Sequence, residues 1–253
     1  MAKIISIVNQ KGGVGKTTTS VNLGSALASQ GKNVLLVDLD PQSNASSGLG
    51  VDYQALEKSI YHCLIDRLEI KEIIFSTKQN GFDIAPASPQ LAGAGVELVN
   101  ESKREFRLKE LLSAVEPRYD YILVDCPPSL GLLTINGLVG SHFVLIPVQA
   151  EYYALEGLGQ LLNTIGLIQQ HIVPELDVLG AVVTMYDCRN KISGQVIDEL
   201  KQYFPYRIFD SVIPRSVRLT ESPSHGQSIF EYSPESRGAL AYEQLAKEIL
   251  ACN

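Results

Sequence analysis

The sequence predicts an α/β protein with a doubly wound, mainly parallel sheet and helices on both faces. Apolar, β-branched runs recur between segments of helical spacing, the pattern of strands buried on both faces. The first of them, Lys3–Val8, leads into a Gly-rich stretch, Asn9-Gln-Lys-Gly-Gly-Val-Gly-Lys-Thr-Thr18, and then into a helical pattern with Val21, Gly24, Leu27 and Ala28. Two later runs, Val34–Asp38 and Tyr119–Asp125, each end in an acid. A chain of 253 residues with no repeat or linker suits a single domain over 1–253.

Taken in order, Gly31-Lys-Asn33 reads as the cap and turn that close the first helix. After the Val34–Asp38 strand, Asp40–Asn44 and the Ser/Gly-rich run to Gly50 read as an irregular loop at the strand's carboxyl end. Tyr53–Phe75 reads as peripheral helices, Phe82–Pro86 as a short strand and Ser88–Val99 as a helix. An amphipathic helix from Phe106 to Val115 precedes the Tyr119–Asp125 strand and the turn Cys126-Pro-Pro-Ser-Leu-Gly131. Strands follow over His142–Val148, Leu176–Met185 and Ile208–Ile213, the last broken by Pro214. Helices are expected over Ala154–Gln169, Ser193–Phe204 and Pro234–Ala251.

A strand, a Gly-rich turn and a helix form the context in which backbone N–H groups converge on phosphate. Gly12, Gly13 and Gly15 permit positive φ and close approach to an anion. Lys16 would place its ammonium on the outer phosphates and Thr17 its hydroxyl on Mg²⁺. The usual pattern, G-x-x-x-x-G-K-[ST], is met by Gly15-Lys16-Thr17, but Gln10 stands at the first glycine and a second lysine, Lys11, lies within the loop. Asp125, after four apolar residues, fits an acid that holds Mg²⁺, and Asp38 a second acid beside the metal. Asp40, on the loop beyond, is placed to orient an attacking water. Each acid alone is equally consistent with a helix cap or a turn. Lys11 reads either as a solvated loop residue or as a cation supplied to the nucleotide of a facing copy.

The formal net charge of −7 excludes a protein coated in basic surface, so any nucleic-acid contact must be a local patch. Cys63, Cys126, Cys188 and Cys252 are scattered and offer no zinc or cluster pair. Their spread suits a reduced, cytoplasmic protein, and the first strand starts too early for a signal peptide.

The motif K-G-G-x-G-K-T resembles that of the deviant Walker A ATPases, and the wider set of blocks resembles the ParA/Soj partition family. These blocks are Asn9–Thr19, Val37–Gln42 with Asn44, Gln90–Gly93, Asp125–Gly131, Gln149–Gly157, Val212–Arg215 and Ser222–Gly226; only 54–80 looks generic. The resemblance implies an ATPase of P-loop fold that forms a face-to-face homodimer around ATP and Mg²⁺. It places the signature lysine on Lys11, the catalytic aspartate on Asp40 and the metal site on Thr17, Asp38 and Asp125. The nucleotide is expected along Lys11, Gly12, Gly13, Val14, Gly15, Lys16, Thr17 and Thr18, with Glu151 near the partner's nucleotide and Met185, Pro214 and Arg215 around adenine. It further implies non-specific binding of double-stranded DNA, with contacts expected at Arg189 and Arg218 just after family-matching blocks, and a ParB-type partner that stimulates hydrolysis. Lys191 and Lys247 are candidates for the same basic surface by charge alone and read equally as solvated residues. The alternative is a MinD-like membrane ATPase, whose basic lipid-binding last helix is not matched by Glu243, Lys247 and Glu248. Iron–sulfur reductases of this type need bridging cysteines, and kinases or ligases of the same fold need an acceptor-binding insert, neither of which is seen.

Overall fold

The computed structural model describes residues 1–151 and 156–252. Its strands are β1 (Lys3–Ile7), β2 (Val34–Asp38), β3 (Phe75–Ser76), β4 (Phe82–Ala85), β5 (Tyr121–Asp125), β6 (Phe143–Gln149), β7 (Asp177–Tyr186) and β8 (Ile208–Pro214). The helices are α1 (Lys16–Ser29), α2 (Asn44–Gly48), α3 (Ile60–Ile65), α4 (Ala94–Glu97), α5 (Arg107–Ser113) and α6 (Leu132–Val139), followed by α7 (Glu156–His171), α8 (Lys191–Tyr203), α9 (Val217–Glu221), α10 (Ile229–Tyr232) and α11 (Arg237–Ala251). The strands form one eight-stranded sheet in the order β3-β4-β2-β5-β1-β6-β7-β8. Every pairing is parallel except β3 with β4.

Side chains alternate across the strands, which explains why the runs are apolar throughout. On one face Ile5, Ile7, Leu36 and Leu123 pack with Leu23 and Leu27 of α1 and Tyr242 and Leu245 of α11. On the other, Ile4, Leu35, Ile122 and Val124 pack with Leu108, Leu138, Leu161 and Leu200 from α5 to α8. Each such leucine or isoleucine contributes roughly 1.5–3 kcal/mol through burial.

Winding reverses at β1: β5, β2 and β4 lie to one side, β6, β7 and β8 to the other. Ligands of open parallel sheets sit at the carboxyl ends of strands near such a point. The register puts Ile7 level with Asp125, and Asp38 level with Asp125 on the next strand.

Several elements differ from the expectations. The run after Asp40 is not wholly irregular, because Asn44–Gly48 closes one helical turn against α1. Within Tyr53–Phe75 only Ile60–Ile65 is α-helical, and Phe75–Ser76 pairs antiparallel with β4. Ser88–Val99 is a chain of 3₁₀ and α turns rather than one helix. Helix α6 was not anticipated: Leu132–Val139 is apolar nearly throughout and shows no polar face to betray its period. Pro214 ends β8 instead of breaking it, as a strand at the sheet's edge permits. Helix α11 starts at Arg237, with the Ser236 side chain accepting from the Ala239 N–H, three residues after the expected Pro234. The expected start of α7 at Ala154 lies outside the described residues.

Pro147 stands inside β6, but β1 pairs only as far as Leu145, so no ladder donor is missed on that side. Its carbonyl instead accepts a hydrogen bond from Asn9 Nδ2 at 2.8 Å, which holds the start of the Gly-rich loop.

Gly24 lets α1 lie close to the sheet, since a Cβ there would stand 2.6 Å from the buried Phe82 ring. Alanine favours helices by about 1 kcal/mol over glycine, yet overpacking costs typically about 1–3 kcal/mol. Gly24→Ala is therefore expected to lower the urea midpoint; an unchanged or raised midpoint would show that Phe82 yields freely.

Candidate functional site

The loop between β1 and α1 takes the shape its glycines permit. Gly13 and Gly15 have φ of 75° and 88°, left-handed values that a side chain would strain, and the Thr19 N–H donates to the Gly15 carbonyl to start α1. Gly12, expected to share that freedom, does not use a positive φ. The Val14 carbonyl is held by Thr184 Oγ1 at 2.7 Å, which fastens the loop to the end of β7.

Lys16 is buried, and its ammonium donates to the Lys11 carbonyl at 3.2 Å. Burial lowers its pKa, while the charges of Asp125 and Asp40 act the other way. Asp125 is fully buried and accepts from Thr17 Oγ1 at 2.7 Å and Ser20 Oγ at 2.8 Å, so one carboxylate joins β5 to two turns of α1. Asp38 accepts from the Asp40 N–H at 3.2 Å with one oxygen. Its other oxygen accepts from the Ser46 N–H at 2.9 Å and the Ser46 hydroxyl at 2.7 Å. Both acids are held above the ordinary carboxylate range, by burial first, and Asp38 adds repulsion at Asp125. Asp40 accepts from the Gln42 N–H at 2.9 Å through one oxygen and lines the cavity described next.

A cavity of about 570 Å³ opens at this sheet edge. Gly12, Gly13, Gly15, Lys16, Thr17 and Thr18 form one side with Asp40, and Met185, Pro214 and Arg215 form the other. Met185 has φ of 52°, a left-handed conformation at the end of β7, and Arg215 is tied by its N–H to the Tyr186 carbonyl. Asp38 and Asp125 lie beneath the lining, reached through Thr17 and the loop.

Glu151, which with Lys11 and Val14 is not part of the lining, stands between two cations, with Lys11 Nζ at 3.9 Å and an Arg215 nitrogen at 3.4 Å, and also accepts from Gln149 Nε2 at 2.6 Å. The four basic candidates lie on separate elements. Arg189, just before α8, forks onto Asp187 at 2.9 and 2.7 Å and holds that carboxyl at about 2. Lys191 is the first residue of α8. Arg218 of α9 pairs with Glu221 at 3.1 Å, and Lys247 of α11 with Glu243 at 2.6 Å. Cys126 is fully buried behind Asp125, and burial pushes its thiol up, as befits an inert packing residue.

Residues that the sequence reading missed are the ones that hold others. Ser20 follows Lys16 by one helical turn, so helical spacing was an available signal. Thr184, polar at the end of an apolar run, was another. Ser46 carries no signal, because its contact with Asp38 depends on a helical turn that composition hides.

Strand, glycine loop and helix beside two strand-end acids define a phosphate-loop protein. A family model described as AAA domain matches residues 2–178. The chain is 57% identical over 251 residues to the sporulation initiation inhibitor protein Soj of Bacillus subtilis, covering 99% of each. It is 48% identical over 250 residues to the chromosome partitioning protein ParA of Myxococcus xanthus, covering 99% of this chain and 88% of that one. Among solved structures, cobyrinic acid a,c-diamide synthase of Mycobacterium smegmatis, with bound ATP analogue and magnesium, superposes with a TM-score of 0.89 at 37% identity, covering 99% of this chain and 95% of that one. The chain belongs to the ParA/Soj family.

Asp125 is a desolvated carboxylate facing a second one, an arrangement that costs the unliganded protein stability. Asp125→Asn keeps the shape and relieves that cost. Thermal denaturation of the unliganded variant is expected to show stability higher by about 1–3 kcal/mol; a lower melting temperature would mean that the Thr17 and Ser20 bonds outweigh the repulsion.

Proposed function

We propose that this protein is a chromosome- or plasmid-partition ATPase that binds ATP with Mg²⁺, pairs face to face with a second copy, and in that state binds double-stranded DNA without sequence preference. A ParB-type partner stimulates hydrolysis. The observation that carries this reading is one cavity whose lining joins Lys16, Thr17 and Asp40 to Met185, Pro214 and Arg215. Phosphates are recognised at one end and a base at the other. The Soj and ParA relatives and the nucleotide-bound mycobacterial structure support it.

The donor set suits magnesium. Thr17 and Asp125 offer hard oxygens at 2.7 Å from each other, and no group of three or more His, Cys, Asp or Glu residues among the described ones suggests a softer metal. Magnesium is commonly held by one or two carboxylates, phosphates and waters. Thr17 and Asp125 would hold the ion, while Asp38, with both oxygens engaged by the 40–46 loop, acts through that loop. When bound, the ion neutralises phosphate charge. Lys16 turns from the Lys11 carbonyl to the outer phosphates, and Asp40 orients the attacking water through its cavity-facing carboxylate. Lys11, only 37% exposed and loosely paired with Glu151, is free to exchange that acid for the phosphates of a facing copy.

A MinD-like role on lipid is disfavoured because α11 buries Tyr242, Leu245, Ala246 and Ile249 in the core and turns Glu248 inward onto the Asp210 and Ser211 N–H groups, leaving an outer face of Leu240, Gln244 and Lys247 with a single basic residue. A synthase acting on cobyrinic acid, suggested by the mycobacterial structure, is the second reading; identity to Soj is 57% against 37% to that protein.

Lys16→Ala is expected to lose ATP binding altogether. Lys11→Ala should bind ATP as a monomer, and Asp40→Ala should accumulate as an ATP-bound dimer that does not turn over. Equilibrium nucleotide binding and light scattering with ATP and Mg²⁺ separate these outcomes, and a stable Lys11→Ala dimer would refute the role in trans.

Retention of mixed-sequence duplex is expected with ATP but not with ADP or without nucleotide, and it should fall steeply with salt. Arg189→Glu and Arg218→Glu should lose retention while still dimerising. Asp187→Asn, which frees Arg189 from its own acid, should raise it. No retention by the wild type with ATP would count against the partition reading itself.

A further inference from the structure

We infer that Gln10 is a positioning residue that anchors the base of Lys11 to helix α7, so that Lys11 can reach a facing copy; this rests on the ATP-dependent pairing proposed above. Gln10 occupies the place of the first glycine in the ordinary phosphate-loop pattern. A side chain there needs a reason, and the structure supplies one. Gln10 Nε2 donates to the Gly157 carbonyl at 2.8 Å and to Gln160 Oε1 at 3.1 Å. These two acceptors stand three residues apart on the first turns of α7, hence on one helix face. Glycine at 157 makes room for the amide, since a Cβ there would lie 3.2 Å from Gln10 Nε2 and 3.4 Å from its Cγ.

The neighbouring residues complete the hold. Asn9 Nδ2 donates to the Pro147 carbonyl at 2.8 Å, and Asn9 Oδ1 accepts from the Lys11 N–H at 3.0 Å. The backbone on the near side of Lys11 is thereby pinned to β6 through Asn9 and to α7 through Gln10. Helix α7 is itself immobilised by Leu158, Leu161 and Ile165 in the core. What remains free is the lysine stem, whose rotamer entropy is already a large cost when it is ordered at an interface. Fixing its base removes a further cost, the search of the loop backbone. Neither Gln10, Gly157 nor Gln160 lines the nucleotide cavity, so the clamp is separable from the groups that hold phosphate.

The separation gives the test. In the full-length chain, Gln10→Ala is expected to bind ATP within about twofold of wild type and to dimerise with ATP and Mg²⁺ about tenfold more weakly, the scale of losing one or two hydrogen bonds. Gly157→Ala, which strengthens helix propensity while pushing on the amide, should act in the same direction and guards against a Gln10 variant that fails to fold. Gln10→Lys combined with Gln160→Glu should restore pairing, because the ammonium can donate both to the Gly157 carbonyl and to the new carboxylate, a rescue that general loosening of the fold would not give. Wild-type dimerisation by Gln10→Ala would overturn the inference, as would a parallel loss of ATP affinity, which would assign Gln10 to phosphate binding. A wild type that stays monomeric with ATP would overturn the partition reading together with this inference, whereas failure of the variants alone leaves that reading standing.

Discussion

Asp125 needs partners that a buried carboxylate rarely finds. Removed from water at the end of β5, it is held by two hydroxyls of α1, Thr17 and Ser20, with Lys16 and its charge nearby. A buried charge is tolerated only when hydrogen-bonded and faced by an opposite charge. Both hydroxyls and the ammonium come from the first turns of one helix, so the place of α1 relative to β5 is fixed within a hydrogen-bond length. The Lys16 carbonyl, 3.0 Å from Ser20 Oγ, is a second acceptor for the same single hydroxyl proton, which is shared between that carbonyl and the acid.

Much of the architecture follows. Helix α1 must begin directly above the end of β5, so β5 has to lie beside β1, and the chain must pass over it to reach β2. That crossing is what aligns Asp38 with Asp125 in the register of β2 and β5. The close seating of α1 is possible because Gly24 brings no side chain against Phe82. On the far side of β1, Thr184 at the end of β7 holds Val14, so the glycine loop is braced from both halves of the sheet. The acids would repel one another and unsettle the edge if Asp38 faced open space. Instead its two oxygens organise the segment from Asp40 to Ser46, converting a costly charge into the support of the loop that carries Asp40.

How much of this was legible depended on whether the signal was local. The central strands were plain because burial on both faces leaves unbroken runs such as Val34-Leu-Leu-Val and Tyr121-Ile-Leu-Val. The loop was plain because only glycines reach the φ values found at Gly13 and Gly15. Helix α6 was hidden for the opposite reason: enclosed against α5 and the sheet, it has no polar stripe from which to read a period. Helix α2 was hidden because Asn, Ser and Gly favour turns, and tertiary contact with α1 overrode that preference. Within the site, Gly12, Gly13, Gly15, Lys16, Thr17, Thr18, Asp40, Met185, Pro214 and Arg215 line one cavity, whereas Lys11, Val14, Asp38, Asp125 and Glu151 are not part of its lining. Ser46 did not show because its contact with Asp38, eight residues back, depends on the α2 turn, and Gln160 did not because its partner Gln10 is 150 residues away and nothing in its neighbours records the meeting.

Five of the exposed cations share one further trait. Lys11 and Arg215 stand on Glu151, Arg189 on Asp187, Arg218 on Glu221 and Lys247 on Glu243. Pairs this exposed are screened by solvent and contribute too little to explain the fold. Their weakness matters more than their strength. A phosphate presents more charge and more acceptor oxygens than one carboxylate, so it can displace the acid at small cost once it is brought within reach. Until then the pairing keeps isolated positive charge off a surface whose net charge is −7. Lys16 is the contrast: buried and bonded to the loop's own carbonyl, it has no acid to surrender. The buried lysine is therefore held by the loop itself, and these exposed cations are held loosely by their own acids.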